Sequence, residues 1–138
     1  MAALSFAAMY ILMYMMVNSY GNVYANPNQL YMTLVMTAAM MIIEMLVMGA
    51  MYSKKIKTAV VSASVVVFFI FFFLLRNQIA ISDKAFLKSM IPHHGAAVLM
   101  CERNTNLQDR EIQEFCKLIQ TNQQSEIDWM QAKLKSLN

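Results

Sequence analysis

Acidic residues are almost absent from the first half of this 138-residue chain. Glu44 is the only acid before Arg76, and the other seven of the eight acids follow Arg76. Charged residues make up 14% of the chain, whereas 59% of it is hydrophobic. This composition is too apolar for an ordinary soluble domain. The net charge of +3 is modest and no basic stripe with interleaved aromatics is present, so we expect no nucleic-acid partner.

Three apolar stretches account for the imbalance, at residues 1–17, 30–51 and 58–75. At a rise of about 1.5 Å per residue the second can cross a hydrocarbon core, the third just can, and the first is marginal. The third has no internal turn residue, which favours a membrane helix over a buried strand. The first lacks a basic leader, but Val23-Tyr24-Ala25 resembles a cleavage site, so cleavage is an alternative. We predict three transmembrane helices within residues 1–75, held in a lipid bilayer.

The lysines between the second and third stretches predict the orientation. Lys54, Lys55 and Lys57 lie in that short connection, while residues 18–29 carry no charge. The positive-inside rule then places the lysines in the cytoplasm and everything after Leu75 outside. We expect a protein of the bacterial inner (plasma) membrane whose C-terminal domain is extracytoplasmic.

The tail reads as a linker, 76–82, followed by a helical hairpin, 83–138. Ser82 or Asp83 can cap a first helix that runs to about Asn104, and the second helix has acids at its start and lysines at its end. The predicted fold class is therefore all-α. A hairpin of roughly 55 residues rarely buries enough surface to stand alone. We predict that two tails form a four-helix bundle in a homo-oligomer, or that the tail packs on its own membrane helices.

Both histidines of the chain are adjacent, in the segment 90–102 with the sequence MIPHHGAAVLMCE. On a helix the five candidate ligands of this segment share an arc of about 120°. They are Met90, His93, His94, Met100 and Cys101. Thioether, thiolate and imidazole suit Cu(I) or Ag(I) better than hard cations, and zinc is less favoured because Met is a poor zinc ligand. The alternative is that Met and Cys are ordinary core residues and the histidine pair is structural.

One face of the second helix is predicted to be buried. Its members are Ile112, Phe115, Cys116, Ile119, Gln123, Glu126, Ile127, Met130, Leu134 and Leu137. Gln123 and Glu126 are polar members of this face, and each needs a partner across the hairpin. Either one accepts a hydrogen bond from an imidazole and orients it for metal binding, or Glu126 pairs with a lysine such as Lys88 or lies at a partly exposed helix edge.

The two cysteines leave two alternatives open. An extracytoplasmic compartment favours a disulfide. With a turn near Asn106, however, Cys116 lies opposite Ala96, which is too far from Cys101 for a bridge. We expect free thiols, with Cys101 as a further metal ligand and Cys116 close behind the metal face, and a Cys101–Cys116 disulfide as the alternative.

The apolar stretches contain an unusual number of methionines. Met9, Met13 and Met16 form a stripe on the first stretch, and on the second Met36, Met40, Met48 and Met51 share one side with Glu44. Methionine packs well between apolar helices, which explains most of them. An ionisable group at mid-membrane usually serves a function. A further metal site formed by Glu44, Met40 and Met48, on a path for Cu(I), is therefore a hypothesis.

The tail resembles the domain of unknown function 305 family, whose members carry an MIPHH motif followed by alanine and methionine. Here the motif is the run 90–94, followed by Ala97 and Met100, and the family's second-helix pattern continues through Ile112, Cys116, Ile119, Gln123, Glu126, Ile127 and Met130. The three apolar stretches are similar to the membrane-anchored branch of that family. One departure is Gly95-Ala96, where many members have Gln or Ser followed by Gly. The resemblance implies a ferritin-like helical bundle and a link to copper binding and copper tolerance.

These observations favour a membrane-anchored, extracytoplasmic protein that buffers Cu(I) or Ag(I), or hands it to a copper-handling partner protein. The expected ligands are Met90, His93, His94, Met100 and Met130, with Cys101 as a further candidate. No enzymatic reaction is expected, because the Glu-x-x-His pairs of di-iron bundles are missing and no nucleophile has an adjacent base. The alternative is a small membrane scaffold or interaction protein whose histidine pair is structural. A metal-dependent redox enzyme is a weaker third reading.

Overall fold

A computed structural model describes residues 1–137 and contains five α-helices, joined by turns and short 3₁₀ segments, with no strand in that range. The helices are α1 Ala2–Leu12, α2 Pro27–Val47, α3 Lys54–Arg76, α4 Asp83–Arg103 and α5 Arg110–Ser136. The all-α prediction is confirmed. The helices form two compact units, which are described separately: residues 1–13 with 27–80, and residues 14–26 with the chain from Ile81 onward. Asn138, the last residue of the predicted tail domain, lies outside the described residues.

In the first unit, α2 and α3 are the two helices long and apolar enough to cross a membrane. They have 21 and 23 residues and hydropathies of 2.0 and 2.7. The Ser53 hydroxyl caps α3 by accepting the Ile56 N–H, and the rings of Tyr31 and Phe71 meet 5.8 Å apart between the two helices. Ser64 is the one buried residue of α3, and exposed side chains such as Val66, Phe69 and Phe73 are available for lipid.

The prediction of a third spanning helix is wrong. α1 has 11 residues and ends at Leu12, and a 3₁₀ turn continues it only to Met16. Eleven helical residues rise about 16 Å, roughly half the thickness of a hydrocarbon core. The apolar run ends where the chain becomes polar. Asn18 accepts a hydrogen bond from the Asn22 side chain at 2.8 Å, and residues 14–26 belong to the second unit.

The second unit is built on the predicted hairpin. The Ser82 hydroxyl accepts the Ala85 N–H at the start of α4, and an Asp109 carboxylate oxygen accepts the Ile112 N–H at the start of α5. Both are the side-chain caps that helix starts require. The buried core is small and consists of Leu87, Ile91, Val98, Ile127, Met130 and Leu134.

Residues 14–26 form a strap along one side of this hairpin, although the predicted boundaries (1–75, 76–82, 83–138) place them with the apolar helices. The Gln131 amide donates to the Asn22 side chain at 2.6 Å. On α4 the strap approaches so closely that a Cβ added to Gly95 would lie 2.7 Å from Asn18 Oδ1. A side chain at position 95 would therefore force the Asn18 side chain to shift.

The strap also provides a hydrogen bond that α4 lacks because of the proline in its middle. Pro92 has no N–H, so the carbonyl four residues earlier, that of Lys88, has no helical donor. The Asn26 side chain donates to the Lys88 carbonyl at 3.4 Å, and also to the Tyr24 carbonyl at 2.9 Å. Asn26 is itself buried. The strap thus supplies a partner for a backbone group that the MIPHH motif leaves without one.

Candidate metal-binding face

His94 is held at both ring nitrogens. Its Nδ1 lies 2.9 Å from the carbonyl oxygen of Met90, one turn earlier on α4, and its Nε2 lies 3.0 Å from Glu126 Oε2 on α5. A carbonyl oxygen and a carboxylate oxygen can both only accept, so each contact needs an N–H on the ring nitrogen that makes it. The His94 side chain is 15% exposed, whereas that of Glu126 is 56% exposed.

The two hydrogen-bonding contacts of His94 have different consequences for metal binding. The Nδ1–H bond to the Met90 carbonyl fixes the ring, and Nε2 can coordinate a metal only when its contact with the Glu126 carboxylate is broken. Glu126 lies at this coordinating nitrogen rather than behind the ring. It meets an imidazole, as one of the two predicted alternatives has it, and not Lys88. Because it is more than half exposed, the carboxylate is free to rotate away from Nε2 or to stay beside it.

The remaining donors of α4 are spread along the helix. His93 is exposed, and its ring centroid lies 6.1 Å from that of His94. Met90 is half-buried and packs against the hydrophobic core. Met100 is exposed and lies about 15 Å further along the axis, at 1.5 Å per residue. Met130 is 5% exposed and belongs to the core. Met90, His93 and His94 therefore lie within about one turn of α4, whereas Met100 lies further along that helix and Met130 lies in the core to which Met90 packs.

Cys101 and Cys116 form a disulfide, with their Cα atoms 5.2 Å apart, so the expectation of free thiols is wrong. Neither sulfur can act as a thiolate ligand while this bond is intact. The error lies in the hairpin register. The Gln113 side chain donates to the Leu107 carbonyl at 2.7 Å, so the connection folds back on the first turn of α5. This places Cys116 opposite Cys101 instead of Ala96.

Within the described residues, no group of three or more His, Cys, Asp and Glu side chains is arranged to hold a metal ion. A site in one chain would need methionine sulfur as well as His93 and His94.

The predicted buried face of α5 is only partly buried. Ile127, Met130 and Leu134 are in the core, but Ile112 and Phe115 are exposed. Gln123 is half-buried, and its Oε1 is buried without a hydrogen-bond partner among the described residues. One side of the hairpin is therefore open where the sequence pattern predicts contact.

Glu44 in the first unit, like Gln123 in the second, has a buried side-chain oxygen. This oxygen, Oε2, has no hydrogen-bond partner within residues 1–137. Met40 and Met48 lie one turn before and after it, and the Met48 N–H donates to the Glu44 carbonyl at 2.8 Å. The same side of α2 carries the buried Thr37, whose hydroxyl lies 3.9 Å from Met9 Sδ on α1. These residues share a stripe of α2, and a metal site formed by Glu44, Met40 and Met48 stays a prediction.

The strap is the functional element that sequence reasoning missed. Asn18, Asn22 and Asn26 recur at every fourth position in a connection without charge. Two of them are buried. Regularly spaced asparagines next to apolar helices were the available signal, since buried amides require polar partners elsewhere in the fold.

The fold and site together define a small all-α protein with two helices apolar enough to cross a membrane and a disulfide-closed hairpin carrying a His-His motif. The chain belongs to the family described as domain of unknown function (DUF305), whose model matches residues 38–134. The match starts within α2, so it includes α3 as well as the hairpin. An uncharacterized protein of Acanthamoeba polyphaga mimivirus is 29% identical over 136 residues, which cover 97% of this chain and 88% of that protein. No solved structure matches the chain.

Proposed function

We propose that this protein is a membrane-anchored binder of Cu(I) or Ag(I), which buffers the ion or hands it to a partner protein. His94 Nε2 is the central donor, with Met90 and His93 beside it. A second copy completes the hairpin to a four-helix bundle. No catalytic step is part of the proposal.

The observation that carries the proposal is the hydrogen bond from His94 Nδ1 to the Met90 carbonyl. Metal-binding histidines commonly donate their second ring N–H to a backbone carbonyl or a carboxylate, which fixes the tautomer and the ring orientation. The ring is thus preorganised to present Nε2. A thioether and a second imidazole lie within one turn of the same helix, and such soft and borderline donors favour Cu(I).

The anchoring and the orientation belong to the same proposal. α2 and α3 are long and apolar enough to cross a membrane. Lys54, Lys55 and Lys57 at the start of α3 favour a cytoplasmic position for the α2–α3 connection. A disulfide in the second unit agrees with an oxidising, extracytoplasmic environment for the hairpin. Copper is therefore proposed to be bound outside the cytoplasm.

A Cu(I) competition titration of the full-length protein against a chromogenic chelator tests this function. We expect His94→Ala to weaken Cu(I) binding at least tenfold and His93→Ala to weaken it less. Glu126→Ala should leave the affinity unchanged or raise it, because the carboxylate occupies Nε2 in the absence of metal. Glu114→Ala, an exposed acid on the same helix, is the matched control.

Two results would contradict the proposal. Binding that is equally tight in wild type and His94→Ala would remove the imidazole from the site. A loss of Cu(I) affinity in Glu126→Ala as large as that in His94→Ala would mean that the carboxylate orients the ring or binds the metal itself. Nε2 would then not be the metal-binding nitrogen proposed above.

A specific observation also favours the second candidate, a membrane scaffold with a structural histidine pair. Both His94 nitrogens are satisfied within the chain, and the His94–Glu126 pair joins α4 to α5. In that case His94→Ala and Glu126→Ala would lower the thermal stability of the hairpin by similar amounts, and Cu(I) would not raise it. Melting curves of the full-length protein with and without Cu(I) separate the two functions.

A further inference from the structure

Two stripes with seven-residue spacing run along the open side of the hairpin. One lies on α4 and the other on α5, and all six members are exposed. The stripes are Phe86, His93 and Met100, and Phe115, Asn122 and Trp129. Side chains seven residues apart lie on one line of a helix, and this spacing is typical of helices that pack together in coiled coils and bundles.

Both stripes face away from the strap. On α4, Gly95 touches the strap and lies about 200° around the helix from His93. On α5, Gln131 binds the strap and lies about 180° from Asn122. The strap thus covers one side of the hairpin and the two stripes share the opposite side. The side that carries the stripes has the composition of a buried core layer, but its side chains are exposed.

The disulfide sets the relative height of the two stripes. Cys101 and Cys116 are bonded and the two helices are antiparallel, so Met100 is level with Lys117 and Phe115 is level with Glu102. Met100 and Phe115 are therefore offset by two residues, about 3 Å along the helix axis. The same offset separates His93 from Asn122 and Phe86 from Trp129. The open side therefore consists of three staggered layers, with a polar pair in the middle and an apolar pair at each end.

We propose that this open side is the contact between two copies of the chain. The order of the layers, apolar then polar then apolar, is the same in both directions along the hairpin. A second copy can therefore pair in a parallel or an antiparallel two-fold arrangement, and in both cases polar layers meet polar layers and apolar layers meet apolar layers. A partner of unrelated sequence would have no reason to match this symmetry. The polar layer fixes the register of the resulting four-helix bundle, as a single polar layer does in coiled coils.

The exposed area is of the right order for a membrane-confined dimer. Phe86, Met100, Phe115 and Trp129 are 49%, 59%, 61% and 63% exposed. With about 150–250 Å² for each aromatic side chain, these four supply roughly half of the ~800 Å² that each partner of a standard interface buries. The remainder comes from the middle layer and its neighbours. The pairing also brings His93 of both copies to one layer, a consequence for metal binding that rests on the proposed function.

Cross-linking of full-length chains in lipid nanodiscs or detergent, with chelator present, tests the pairing. Asn122→Cys adds one free thiol on the open side, because the two native cysteines are bonded to each other. Gln124→Cys is the matched control: it is exposed on the same helix but lies about 200° around the axis. With a short bifunctional maleimide we expect a covalent dimer from Asn122→Cys and at least tenfold less from Gln124→Cys. Equal cross-linking of both variants, or none in either, would overturn the proposal.

Light scattering of charge variants provides an independent measurement. Trp129→Glu should raise the dimer dissociation constant at least tenfold, while Gln124→Glu leaves it unchanged. An intact Cys101–Cys116 bond and an unchanged helical circular dichroism spectrum show that the variant is folded. A folded Trp129→Glu protein that remains as dimeric as wild type would overturn the proposal. Because chelator is present throughout, failure of the dimer is distinguishable from failure of copper binding.

Discussion

Removal of the Cys101–Cys116 disulfide should destabilise the hairpin strongly. The bridge closes a loop with a sequence separation of 15, and a cross-link over about 15 residues stabilises a fold by about 3 kcal/mol at 25 °C in the chain-entropy model. That amount is large beside a core of six buried residues, since whole domains are commonly stable by only about 5–15 kcal/mol. We therefore expect the oxidised and reduced proteins to differ about a hundredfold in the folded-to-unfolded ratio.

Trp129 provides the assay, because it is the only tryptophan of the chain and lies on α5. Urea unfolding of the full-length protein followed by tryptophan emission should give a loss of about 3 kcal/mol for Cys101→Ala and the same loss for Cys116→Ala. The double variant should lose no more than either single variant, since all three lack the same bond. Losses that add in the double variant, or a change below about 1 kcal/mol, would refute the reasoning.

Three further changes test the strap and the buried carboxyl. Gly95→Ala should destabilise the second unit by about 1 kcal/mol in thermal melts, although alanine has the higher helix propensity, because the new Cβ would lie 2.7 Å from Asn18 Oδ1. In an Asn18→Ala background the same change should be stabilising. An equal loss of stability in both backgrounds would contradict the contact. Asn26→Ala should lower the stability of the second unit by about 1 kcal/mol. The loss should be clearly smaller in a Pro92→Ala background, where the backbone N–H at position 92 can donate to the Lys88 carbonyl. An equal loss in both backgrounds would show that Asn26 does not compensate for the proline. Glu44→Met should raise the melting temperature, because it removes a buried oxygen without a partner, whereas a lowered melting temperature would indicate a partner or ligand for the carboxyl.

The helices of the hairpin were predictable because their signals are local. Ser82 before the first helix, the acids near Arg110 and the lysines before Ser136 mark helix ends by capping and dipole rules that depend on a few neighbouring residues. The apolar lengths of α2 and α3 are equally local. α1 was misjudged because its apolar stretch does not show where the helix stops. The residues that follow it leave the first unit and contact the distant hairpin through Asn18, Asn22 and Asn26.

The site could be predicted in part. The MIPHH run places Met90, His93 and His94 by helix geometry alone, and a partner for His94 on α5 was expected. The identity of the bonded nitrogens and the disulfide depend on the hairpin register, which is set by the fold of the six residues 104–109. A register shift of five residues, about 7.5 Å along the axis, exchanges Ala96 for Cys101 opposite Cys116, and no periodicity in either helix contains this information.

The strap also has a consequence for how the second unit is made. Asn22 and Gln131, which bond to each other, are 109 residues apart, so the strap is synthesised long before the helix that receives it. Its buried asparagines must remain solvated until α5 is complete, and such distant contacts slow folding. A fragment that begins at Ser82 would have the whole hairpin but neither Asn22 nor Asn26. Both the side that the strap covers and the open side would then be exposed to solvent. Efforts to obtain the hairpin without the apolar helices should therefore attach residues 14–26 to it, in cis or as a peptide added in trans.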